Sequence, residues 1–253
     1  MRRTAVLALA LAACLSAQAC ADSPLKDAAA AVLPKPISLH ELSGENTVSF
    51  QGETIPYQAM QLVMNMERSG MVLTGYVFAA EMPSHYDAQL SPYFRYGLTQ
   101  DDYRGLSEVN KAFFDPASAL HQSLLQSVSD WADAMVGGAG AHLVTKLSDL
   151  EPIRRVSGVK AVLYTAGARL FFSTENIVIP LYAKGFMYRD GDVYRGIMLL
   201  TPDENKRPLS YAMEDTVIRA AEDAAKRDRR AYFKKRAEAE RAAVETTVSE
   251  KKK

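Results

Sequence analysis

Five apolar runs rich in β-branched and aromatic residues follow one another late in the chain, at 142–150, 159–165, 170–172, 177–186 and 187–201. They come after the helical patterns instead of alternating with them. This predicts an α+β domain, a largely antiparallel sheet packed by helices, with a long C-terminal helix. Inside the stretch, Asp190-Gly191 separates two apolar runs and is the strongest hairpin signal in the chain, because a type I′ turn needs positive φ at both centres. A two-residue turn there sets the register. It places Arg189 opposite Asp192, Tyr188 opposite Val193, Phe186 opposite Arg195, Gly185 opposite Gly196 and Tyr182 opposite Leu199. Alternation then divides the hairpin into two faces. Leu181, Ala183, Met187, Tyr194, Met198 and Leu200 form a core face, whereas Tyr182, Lys184, Phe186, Tyr188, Arg195, Ile197 and Leu199 interleave cations with aromatics.

The second face supports two readings. Open to solvent, it is a ligand platform on which Lys184 and Arg195 supply charge and Tyr182, Phe186 and Tyr188 supply flat area. Covered, it is a second packing surface, with Arg195 over Phe186, the Lys184 stem reaching water and a helix over the rest. The facing glycines mark either a bare patch for a ligand or local twist. Pro180 cannot donate to a ladder, which puts its strand at an edge or a bulge.

Upstream, residues 46–50 read as a short strand ended by Gln51-Gly52, and 71–80 as a second strand. Between them, Tyr57, Met60, Val63, Met64 and Glu67 fall at helical spacing with Gly70 as a C-terminal cap. Leu62, Met64 and Met66 also alternate, but the spacing favours a helix over 54–68. Thr99 with Asp102 resembles a capping box ahead of Tyr103, Leu106, Val109 and Phe113. Asp115-Pro116 reads as the start of a helix carrying Leu120, Leu124, Val128, Trp131 and Met135, stopped by Gly137-Gly138. Ser210 reads as the cap of the long helix, with Tyr211, Val217, Ile218, Ala221 and Ala225 facing inward.

The opening 21 residues have the form of an export signal: Arg2 and Arg3, an apolar run from Ala5 to Leu15, and a small-x-small exit at Ala19 and Ala21. The run is too short to span a bilayer, which takes about 20 apolar residues. Leu11-Ala12-Ala13-Cys14 also resembles a lipobox, so a form anchored through Cys14 is the alternative. Both cysteines, Cys14 and Cys20, lie within this leader, so cleavage before Asp22 leaves a thiol-free body held by its core alone. The expected organisation is signal peptide 1–21, tether 22–45, one α+β domain 46–225 and a basic helical tail 226–253. Periplasmic or secreted localisation follows.

The chain has 30 basic and 30 acidic residues, and loss of Arg2 and Arg3 leaves 28 against 30, a net of −2. The average hides an acidic body with a basic end. Residues 214–253 carry 12 basic against 9 acidic side chains, and residues 226–236 (KRDRRAYFKKR) carry seven basic against one acidic, with Tyr232 and Phe233 embedded. Such a segment is either a solvated helix supported by i, i+4 ion pairs or a contact for an anionic envelope component. Export makes nucleic acid a poor partner.

Catalytic patterns are scarce. Ser157-Gly158-Val159-Lys160 matches an S-x-x-K in letters, but glycine and valine lead into a strand, whereas that pair should open a helix. No G-x-S-x-G occurs, and a thiol-free body excludes thiolate chemistry and thiolate metal sites. His40, His85, His121 and His142 do not pair at helical spacing, and no metal or cofactor motif is found. His85 with Asp87, in a polar loop after Pro83, offers an acid/base pair or a contribution to a metal site, against the plain reading of a solvated loop histidine. Asp190-Gly191-Asp192 lacks the spaced carboxylates of a calcium loop and is explained by its turn. Gly137 to Gly140 lacks the third glycine of a dinucleotide fingerprint and reads as a connector. These observations lead to the expectation of an exported bacterial envelope protein, a non-enzymatic binding or scaffolding module whose partner is an envelope protein or anionic envelope component. The alternatives are a hydrolase using His85 and Asp87, and a carrier of an apolar ligand lined by some of the ten methionines.

Overall fold

The computed structural model describes residues 37–41, 46–50, 53–66, 71–82, 86–136, 144–173 and 178–250. The leader, Trp131 and Met135 side chains, His85, His142 and the Gly137 to Gly140 connector therefore lie outside what is described. Among these residues eight strands run as β1 (Ile37–Glu41), β2 (Asn46–Phe50), β3 (Glu53–Met66), β4 (Met71–Met82), β5 (Val144–Arg155), β6 (Leu163–Ser173), β7 (Val178–Asp190) and β8 (Val193–Pro202). Among the described residues, four α-helices accompany them: α1 (Asp87–Leu90), α2 (Gln100–Phe114), α3 (Ala119–Val136) and α4 (Lys206–Glu250). The strands form one antiparallel sheet in the order β1-β3-β4-β8-β7-β6-β5, with β2 also pairing β3. The fold is α+β, as the grouping of apolar runs predicts.

Both faces of the sheet are covered. On one, Phe78, Met82, Tyr164, Met187, Tyr194, Met198 and Leu200 pack with Leu90, Phe94, Val109, Phe113, Leu124 and Val128 from α1, the turn after it, α2 and α3. On the other, Leu73, Val77, Leu163, Phe186, Tyr188, Ile197 and Leu199 pack beneath Leu209, Met213, Val217 and Ala221 of α4. Successive strand residues thus enter two different cores, which is why the strands read as nearly continuous apolar runs.

Several boundaries differ from the sequence reading. Residues 54–68 are not helical, because β3 pairs with β4 from Tyr57 opposite Ala80 to Met66 opposite Met71, a long hairpin in which period-two alternation prevails. Strand β1 falls inside the segment read as a tether and joins the sheet along β3. Helix α3 starts at Ala119, and its cap is Ser118, whose hydroxyl accepts the His121 N–H at 3.0 Å. Asp115 instead closes the preceding turn by accepting from Ala117 N–H. Ser210 does not cap α4, which opens four residues earlier, and Tyr211 points to solvent. At α2 the capping box is complete: Thr99 Oγ1 accepts from Asp102 N–H and Asp102 Oδ2 accepts from Thr99 N–H at 2.8 Å.

The hairpin turn lies one residue further along than predicted, which shifts the register of the two strands by two. Asp190 pairs with Val193, so Gly191-Asp192 form the turn, and only Gly191 has positive φ (62°), as in a turn with glycine at its first centre. A shift of two leaves both face assignments intact. It does separate Gly185 from Gly196, which now face Met198 and Met187, so the bare glycine patch does not exist. Pro180 pairs with Phe171 of β6, while the β8 ladder begins only at Leu181, so the proline lies where β7 has one neighbour. Strand β5 forms a rim of the sheet and is interrupted twice, between Ser148 and Glu151 and between Glu151 and Arg154, with Asp149 at φ 44° in the first interruption.

Candidate functional site

The cationic and aromatic face of the hairpin is not an open platform. Tyr182, Lys184, Phe186 and Tyr188 are buried, and α4 lies over the sheet there. Arg195 bonds Asp190 Oδ2 at 3.0 Å. Lys184, whose side chain is only 6% exposed, does not reach water. Its Nζ donates to Glu151 Oε2 at 2.6 Å, while Tyr182 donates to Glu151 Oε1 at 2.7 Å. Lys206, at the start of α4, lies 3.6 Å from Glu151 Oε1 and 4.0 Å above the Tyr182 ring. Burial works against the charge on Glu151, but the bonds from Lys184 and Tyr182 and the charges of Lys184 and Lys206 outweigh it and hold its pKa below the ordinary value. Burial and the bond to Glu151 push the Tyr182 hydroxyl up. Gly167 makes room for this carboxylate, since a Cβ there would lie 3.0 Å from Glu151 Oε2 and from the Tyr182 hydroxyl. A network of this kind, in which Lys184 and Tyr182 each engage one Glu151 oxygen, fixes where β5, β7 and α4 meet.

A second cluster lies at the hairpin end of α4. Asp190 takes Arg195 on one oxygen and Arg227 on the other, at 3.0 and 2.7 Å, and Asp228 Oδ1 accepts the Gly191 N–H at 3.1 Å. Burial opposes the Asp190 charge, but the two arginines keep its pKa low. Beside this anchor is a cleft of about 150 Å³ lined by Phe94, Tyr96, Ala161, Val162, Ala221 and Ala225, with Arg189, Asp228 and Arg229 at its polar side. Sequence reading missed it, because its parts come from four separated segments; the small residues Ala221 and Ala225, one turn apart on α4, were the only local sign.

The third feature is the far part of α4. Every residue from 229 to 241 is exposed, including Tyr232 and Phe233, whose rings meet edge to face at 5.6 Å. Ion pairs at i, i+4 spacing join Arg236 to Glu240 at 2.9 Å and Lys234 to Glu238 at 3.9 Å, neither of them among the pairs that the sequence spacing suggests, Asp215 with Arg219, Glu222 with Lys226, Asp223 with Arg227 and Arg241 with Glu245. Asp223 does not hold Arg227, which turns to Asp190, and Glu222 accepts from Lys160 N–H at 2.8 Å. The root of the helix is thereby tied to the body while the arm beyond it is free of the sheet.

Of the remaining candidates, Asp87 accepts the Tyr194 hydroxyl at 2.6 Å, beside the core, and its proposed partner His85 lies outside the described residues. His121 is buried, and its Nδ1 meets the Phe113 carbonyl at 2.9 Å; a carbonyl only accepts, so this nitrogen carries the hydrogen. The Ser157 to Lys160 segment is the loop between β5 and β6, with Gly158 at φ 76°, and opens no helix. Among the described residues no group of three or more His, Cys, Asp or Glu side chains could hold a metal ion, and no helix is long and apolar enough to cross a membrane. The chain matches no protein family, no curated protein and no solved structure.

Proposed function

We propose that this chain is an exported bacterial envelope protein, a non-enzymatic binding module that meets an anionic envelope surface through the α4 arm. The observation that carries this reading is the uninterrupted exposure of residues 229–241. A helix solvated on all sides is a poor investment in order unless something contacts it, and this one sets Arg230, Lys234 and Lys235 around two exposed aromatic rings. Cations attract anionic head groups, and tyrosine and phenylalanine rings enter the head-group boundary. The body supplies the anchor: the Asp190, Arg227 and Asp228 contacts hold the arm root against the hairpin. The leader motif supports delivery to the envelope.

The test compares the chain from Asp22 with its Arg230→Gln/Lys234→Gln/Lys235→Gln variant in sedimentation with phosphatidylglycerol vesicles. Each cation near such a surface contributes about 1 kcal/mol, so partitioning of the triple variant is expected to fall by about a hundredfold, and added salt is expected to weaken the parent in the same direction. Equal sedimentation of both proteins, or parent binding to phosphatidylcholine alone, would reject the reading. Delivery is checked separately by the intact mass of the protein recovered from envelope fractions, which is expected to begin at Asp22; a diacylated Cys14 would identify the anchored form, and a retained Met1 would remove export from the proposal.

A further inference from the structure

We infer that the cleft between α4, the 94–96 segment and the 161–162 segment is a binding site for a small aromatic carboxylate. Its size is informative. About 150 Å³ is half the lower end of the range for drug-sized ligands, which is roughly 300 Å³, yet an apolar cavity of that size takes a single benzene-sized ring. The walls suit a ring: Phe94, Ala161, Val162, Ala221 and Ala225 present carbon, and the alanines leave the space that larger side chains would fill.

The polar side suits an anion. Arg229 Nη1 donates to the Tyr96 hydroxyl at 2.6 Å and faces the Lys160 carbonyl at 3.4 Å, and both acceptors are neutral. Arg189 Nε donates to the Gly191 carbonyl at 2.8 Å, and its nearest carboxylate is the fully exposed Asp192 at 3.8 Å, a weak partner. The acidic member of the lining, Asp228, already accepts from Gly191 N–H. Two guanidinium groups against one engaged carboxylate leave the lining with a surplus positive charge beside an apolar recess, the arrangement that takes a carboxylate with its ring inserted.

The site is held open before any ligand arrives. Arg155 Nη1 bonds the Arg95 and Tyr96 carbonyls at 3.0 Å each, Tyr164 bonds the Tyr93 carbonyl at 2.9 Å, and Tyr96 donates to the Lys160 carbonyl at 3.1 Å. A wall so fixed adds little ordering cost on binding. The inference stands apart from the arm reading, since neither Lys234 nor Lys235 enters it.

The experiment titrates the full chain with benzoate and with benzamide, its neutral counterpart, followed by NMR and by calorimetry. Benzoate is expected to bind saturably and to shift the signals of Tyr96, Val162 and Ala225, with benzamide at least about tenfold weaker because it forfeits the charged hydrogen bonds. Arg229→Gln is expected to weaken benzoate by a similar factor. Because Arg229 also braces Tyr96, Ala225→Leu provides a second variant that keeps every charge and fills the recess; it is expected to abolish binding while the protein stays folded. Absence of saturable shifts at these residues, equal affinity for benzamide, or undiminished benzoate binding by the Ala225→Leu protein would each overturn the inference.

Discussion

Lys184 is a cation in the floor of a helix-covered sheet, and its tolerance there depends on Glu151. Replacing that carboxylate by the neutral Glu151→Gln leaves an ammonium group buried without its counter-charge, and a loss of about 2 kcal/mol or more in chemical denaturation is expected. The same residue shapes the acid limb of stability. Its folded-state pKa is lowered, so its contribution is complete above the ordinary value of 4.5 and is lost as pH falls below it, with Asp190 acting likewise below 3.8. At the other end, burial first of all raises the Tyr164 and Tyr188 hydroxyls to about 12, so stability held below pH 10 is expected to drain away as pH climbs toward 12. A denaturation midpoint measured across pH should show both limbs, and Glu151→Gln should flatten the acid one. The lysine was visible in the sequence as an oddity on an aromatic face. Its acceptor was not, because Glu151 lies more than thirty positions away in an interrupted strand where alternation no longer tells which way a side chain points.

The elements show where pattern reading is strong. Alternation assigned both faces of the β7–β8 hairpin correctly, since a period of two survives a register shift of two. The turn itself moved because Asp190 is more useful in the ladder, where Arg195 and Arg227 bind its two oxygens, and Gly191 alone then satisfies the turn. Strand β3 was misread because methionine and leucine spacing over 54–68 fits either period, and only pairing with β4 decides it. Helix α4 supplies a sharper contrast. Met213 is fully buried beneath the sheet side and Tyr211, which the spacing had placed inward, is 68% exposed. Met213→Ala is therefore expected to cost about 2–5 kcal/mol, whereas Tyr211→Ala should stay within about 0.5 kcal/mol, as measured by urea unfolding.

For the molecule as a whole, α4 does two separable things. Its first part closes the second core over Phe186, Ile197 and Leu199; its continuation past the Arg229 contact with Tyr96 is exposed at every residue from 230 to 241. Deleting residues 232–253 should consequently change the unfolding free energy by less than about 0.5 kcal/mol while removing vesicle sedimentation, a separation that a single thermal melt and one spin assay can establish. The sequence placed a basic helical tail at 226–253, but hydropathy does not tell whether such a run lies along the body or projects from it. The rim strand β5 has a further consequence. Its regular pairing lasts only from Val144 to Ser148 before the kink at Asp149. An incoming segment seeking to polymerise along that border meets misaligned amide groups after one short stretch, so end-on growth into a cross-β stack is blocked there by backbone shape itself.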